Sequence, residues 1–106
     1  MNLIDHIEKQ RRFSLETFGS GSRYQGIVNH IRKELIEIEA DPKDLEEWID
    51  VILLALDGAW RSGASPKEVC ETLQTKFQKN RTRTWPDYRT LADDSPIEHI
   101  RQTALS

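Results

Sequence analysis

One cysteine, five glycines, four prolines and no long apolar run mark this 106-residue sequence, and each scarcity removes a class of protein. The lone thiol, Cys70, allows no disulfide within the chain, so it reads as a packing residue in a reducing compartment. No stretch has the length and apolarity of a membrane span, and residues 1–12 alternate charged and apolar side chains where a signal peptide needs an apolar run. A cytoplasmic protein without a membrane partner is therefore expected. Excess positive charge is missing too: 15 basic against 18 acidic residues give a net charge of −3, which speaks against a nucleic-acid-coating role. Neither the period-two alternation of strands nor an internal repeat is visible.

What is present is helix punctuation. A polar cap followed three residues later by an acid or amide marks a helix start, and proline at the first helical position strengthens it. Asp41-Pro42-Lys43-Asp44, Ser65-Pro66-Lys67-Glu68 and Ser95-Pro96-Ile97-Glu98 carry the full signal, and Asn2 with Asp5 and Ser22 with Gln25 carry it without proline. These marks predict helices over about residues 3–17, 23–39, 42–61 and 66–79, with a short C-terminal helix after Ser95. The expected fold is all-α, one domain over 1–106: an antiparallel bundle of four main helices plus the short one. A hydrophobic fraction of 37% gives a small core, so pairing of helix faces into a homodimer or homotetramer is expected. Val69, Leu73 and Phe77, four residues apart, read as core or subunit interface.

Acids interrupt the apolar helices in a pattern that calls for a cation. On the second helix Ile27, Ile31, Leu35 and Ile38 form the apolar stripe, bordered by Glu34 and Glu37 at i, i+3, with His30 one turn earlier. The third helix is apolar on nearly every side from Trp48 to Trp60, yet Glu47, Asp50 and Asp57 fall on one line along it. A carboxylate taken from water needs a partner, and residues 48–60 contain no lysine or arginine. Two acidic pairs at short range would instead repel, by roughly 4 kcal/mol for unit charges about 4 Å apart near a protein surface. A divalent ion reverses that sign, and all-oxygen ligands suit Mg²⁺ or Mn²⁺. The short link Ala40-Asp41-Pro42-Lys43 makes the two helices antiparallel, which turns the acidic pairs toward each other.

Glu34-Leu35-Ile36-Glu37 followed by Glu47-Trp48-Ile49-Asp50 resembles the ExxE…ExxD signature of the MazG-like all-α nucleoside triphosphate pyrophosphohydrolases. The run Asn29 to Leu35, Glu47 to Ala55, Asp57 to Trp60, Lys79-Asn80 and Trp85-Pro86-Asp87 looks like the phage and bacterial dATP/dGTP branch, the MazZ type. The likeness covers a core from about residue 18 to 88. Two features depart from the general MazG pattern: the Glu37-to-Glu47 gap is short, and Lys33 stands where many relatives carry another glutamate. The resemblance implies an oligomeric metalloenzyme that splits a deoxynucleoside triphosphate, dATP or dGTP first, into monophosphate and pyrophosphate.

On that reading Glu34, Glu37, Glu47 and Asp50 hold the metal, and Glu37 or Glu47 accepts the proton of the attacking water. Phosphates need further cations, which Lys76, Lys79, Arg81 and Arg83 offer with Asn80 as a hydrogen-bond donor; Lys79 and Asn80 are the first choices and Arg23 a second. His30, Asp57 and Trp85 are candidate substrate contacts, Trp85 by stacking on a purine. Two other readings remain: a broader or pyrimidine-specific, dUTPase-like pyrophosphohydrolase, and a non-catalytic helical module whose acidic faces bind a basic partner.

Overall fold

The computed structural model describes residues 1–101, and all of its regular structure is helical. Its helices are α1 (Leu3–Phe18), α2 (Tyr24–Ala40), α3 (Leu45–Arg61) and α4 (Pro66–Thr82), followed by one 3₁₀ turn at Tyr88–Thr90. Among the described residues there is no strand, and no helix is long and apolar enough to cross a membrane. The chain forms two compact parts, Met1–Glu71 and residues from Thr72 onward.

In the first part α2 and α3 form an antiparallel hairpin with α1 laid against α3. The pairing is legible at both ends: Glu37 and Glu47 meet near the connection, and at the other end a Cβ on Gly58 would sit 3.7 Å from Ile27. That is ordinary van der Waals distance, so the helices meet there in side-chain contact. On α1, the Gln10 amide Nε2 donates to the Leu53 carbonyl at 2.8 Å. The buried apolar set is small, Ile7, Ile27 and Ile38, while Leu35 of the expected stripe is 45% exposed and Glu34 takes an inward position.

Helix starts show which punctuation works. Asn2 Oδ1 accepts from the Ile4 and Asp5 amides, and Ser65 and Glu68 close a reciprocal capping box at 3.1 and 3.2 Å. Three expectations need correction. The third helix begins at Leu45, capped by Asp44 through the Glu46 amide, because Asp41 closes the end of α2 and Pro42-Lys43 is spent on the turn. The second helix has no side-chain cap: Arg23 sits left-handed at φ 50°, and Ser22 is left outside. No helix follows Ser95 within the described residues. Its hydroxyl donates to the Ala92 carbonyl at 2.8 Å instead of capping, and the Ile100 amide is tied to Thr84 O at 2.8 Å.

In the second part α4 continues to Thr82 with Leu73 and Phe77 exposed at 56% and 63%, so neither is core within this chain. Beyond it the Trp85 indole donates to Asn80 O at 2.7 Å and meets the His99 ring edge-on at 6.0 Å.

Candidate metal centre and adjoining cavity

The hairpin brings three glutamates together. Glu34 and Glu37 come from the later turns of α2 and Glu47 from the first turn of α3, with one carboxylate oxygen of each within 4.8 Å of the other two. Glu34 is buried, and its Oε1 lies 3.2 Å from His30 Nε2. The remaining oxygens, Glu34 Oε2 and Glu47 Oε2, are sealed from solvent with no hydrogen-bond partner. Among the described residues no lysine or arginine forms an ion pair with any of the three.

Crowding of like charge sets the proton distribution. Hydrogen bonding to Glu37, burial and the nearby Glu34 push the Glu47 carboxyl up to about 7. The same contacts with Glu47 and Glu34 hold Glu37 below the usual carboxylate range, aided by Lys33 and His30. Two buried oxygens without partners and an all-oxygen donor set, with no lysine or arginine paired to it among the described residues, fit a hard divalent ion.

Asp50 stands one turn beyond Glu47, exposed and outside this trio. It faces a cavity of about 370 Å³ instead, which it lines with Glu34 and His30. Phe13, Ser14 and Phe18 of α1 make the opposite wall, and Gln10, Leu53, Leu54 and Asp57 complete it. Asp57 is buried with both oxygens engaged: Trp60 Nε1 donates to Oδ1 at 2.9 Å and Arg61 Nε to Oδ2 at 3.1 Å. Arg23 lies at the rim of a smaller adjoining recess, its guanidinium 5.7 Å from the centre of the Phe18 ring. The remaining candidates belong to the second part of the chain. There Arg83 donates to Asn80 Oδ1 at 2.9 Å, while Lys76 and Lys79 are exposed and Trp85 is 42% exposed. Burial, then the nearby Arg83, Arg101 and Lys76, lowers the His99 pKa.

Two elements of the site were not singled out from the sequence. The α1 wall left only a faint signal, two phenylalanines among the other apolar residues Leu3, Ile4, Ile7 and Leu15 of a mostly polar helix. Arg61 left a clearer one, its i, i+4 spacing from Asp57.

Residues 6–105 match the family model described as dATP/dGTP pyrophosphohydrolase. The Eaa protein of Salmonella phage P22 is 35% identical over 63 residues, 59% of this chain and 19% of that protein. The chain thus spans about a fifth of that relative's length. No solved structure matches the chain.

Proposed function

Because the chain belongs to the dATP/dGTP pyrophosphohydrolase family, we propose that it cleaves dATP or dGTP between the α- and β-phosphates, releasing the monophosphate and pyrophosphate. The observation that carries this reading is the glutamate trio, with two buried oxygens left without partners, beside a cavity wide enough for a nucleoside. Glu34, Glu37 and Glu47 would hold Mg²⁺, or Mn²⁺ in its place, with Asp50 available as a further ligand from the cavity side. The bound ion neutralises phosphate charge and makes its water a stronger nucleophile.

The chain's own residues supply orientation and proton transfer. His30, against Glu34 Oε1, fixes that carboxylate's rotamer. Glu37 and Glu47 are the two bases proposed to take up the proton of the attacking water. Phe13 and Phe18 offer an aromatic wall to base and sugar, and the Leu53 and Leu54 side excludes water. Lys76, Lys79, Asn80, Arg83 and Arg23 are the proposed phosphate contacts, and Trp85 the proposed stacking residue. Assembly into a homodimer or homotetramer belongs to the same reading. It is supported by apolar side chains left open on α3, Leu45, Trp48, Ile49 and Ile52, each at least 41% exposed, together with Leu73 and Phe77 on α4. The absence of a membrane-crossing helix among the described residues and the single thiol accord with a cytoplasmic enzyme.

The test is product analysis. Incubated with each deoxy- and ribonucleoside triphosphate and Mg²⁺, the protein should release pyrophosphate fastest from dATP and dGTP. Orthophosphate as first product contradicts the cleavage position, and preference for dUTP or dCTP moves the assignment to the pyrimidine-directed reading.

A further inference from the structure

We propose that Arg61 is a positioning residue for the nucleotide: without touching substrate, it fixes the α1 wall and the α1–α2 loop of the cavity and thereby sets substrate affinity. This rests on the hydrolase reading above. The Arg61 side chain is 1% exposed, and all five of its N–H donors are engaged. Nε donates to Asp57 Oδ2 at 3.1 Å, Nη1 to the carbonyls of Gly19 and Gly21 at 2.9 Å each, and Nη2 to Ser14 Oγ at 2.9 Å and Ser14 O at 3.4 Å. The guanidinium also stacks on Trp60, 4.5 Å from the ring centre.

The partners are what give the arrangement its meaning. Ser14 and Asp57 line the cavity, and Gly19 directly follows Phe18, the aromatic at its edge. The loop itself offers little rigidity: Gly19 and Gly21 have φ of 88° and 99°, conformations open to glycine, and no heavy atom approaches where their Cβ would be. Two of its carbonyls converge on one guanidinium, so the loop's placement depends on that side chain. A lysine ammonium presents its donors from a single point and cannot span Asp57, Ser14 and both carbonyls at once. The glutamate trio lies at the other end of the hairpin. Glu47 to Arg61 is fourteen helical residues, about 21 Å of rise, so a change at Arg61 leaves the ion site intact.

Arg61→Ala and Arg61→Lys should each raise KM for dATP by roughly tenfold while leaving kcat within about threefold. Mg²⁺ affinity of the nucleotide-free protein should be unchanged in both, and millimolar methylguanidinium should restore the KM of Arg61→Ala toward wild type. Arg61→Lys serves where the alanine variant does not fold. Unchanged KM in a folded variant overturns the proposal. Loss of fold in both variants, or loss of Mg²⁺ affinity in parallel with KM, assigns Arg61 to stability alone and also overturns it. A wild-type protein that turns over no nucleoside triphosphate fails the hydrolase reading instead, and is recognised by that control.

Discussion

The two ends of α3 treat buried acid in opposite ways. At its C-terminal end Asp57 is buried but complete, with Trp60 on one oxygen and Arg61 on the other. At its N-terminal end Glu47 joins Glu34 and Glu37 in a group that no lysine or arginine pairs with among the described residues, with two unpartnered buried oxygens and a Glu47 carboxyl pushed up to about 7. One helix therefore contains both a finished ion pair and an unfinished one. The C-terminal end of the same helix pairs its buried acid with an arginine, whereas the glutamate group has no such partner and could hold a metal ion. The difference separates a completed ion pair beside the cavity from a group of acids that a metal ion could complete.

Substitution breaks that comparison most visibly in catalysis. Glu37→Gln or Glu47→Gln should lower kcat/KM by about a thousandfold, equivalent to several kcal/mol of lost transition-state stabilisation, measured as pyrophosphate release. In the metal-free protein the two ends should respond with opposite sign. Arg61→Met leaves Asp57 buried and unpaired and should cost about 3 kcal/mol in denaturant unfolding. Glu47→Gln relieves repulsion and should raise stability in the same assay.

Acidity sharpens the contrast further. Glu47 binds its proton more tightly when folded, about 7 against the ordinary 4.5, so its contribution to metal-free stability is complete below 4.5 and is lost as pH rises through 7. Glu37, shifted down, adds a small opposing slope near the ordinary 4.5, where the unfolded chain still binds its proton, and none above about pH 6. Unfolding measured from pH 4.5 to 8 should show the decline, and Glu47→Gln should flatten it. By the same linkage Mg²⁺ uptake at pH 7 should release roughly half a proton from Glu47, seen as a buffer-dependent binding enthalpy.

The smallest expected effects concern the helix caps. Ser65→Ala removes a working capping box and should cost about 1 kcal/mol in unfolding free energy. Ser95→Ala, at a serine that only closes a turn, should stay within about 0.5 kcal/mol.

That last pair also shows how far the sequence could be read. Ser65-Pro66-Lys67-Glu68 and Ser95-Pro96-Ile97-Glu98 carry the same local signal, and only the first becomes a helix, because an apolar period follows it and the backbone after Ser95 is held by Thr84 instead. Four helices and the all-α class follow from periodicity and caps that act locally. Convergence of Glu34, Glu37 and Glu47 was legible for a related reason: a short link forces the hairpin, and i, i+3 spacing then aims the carboxylates. The α1 wall was not legible, since nothing local says that Phe13 and Phe18 meet Leu53 and Leu54. Residues 48–60 read as lacking a cation for Asp57, and Arg61, one position further, supplies it. Membership of the dATP/dGTP pyrophosphohydrolase family accords with the motif reading.

Thermal unfolding of the metal-free protein with and without Mg²⁺, run beside Glu37→Gln, tests the central claim most directly. An ion held by the folded trio must raise the wild-type melting temperature in proportion to its binding, and the variant should show little or none of that rise. Equal melting curves with and without Mg²⁺ in the wild type, or an equal rise in both proteins, would contradict it.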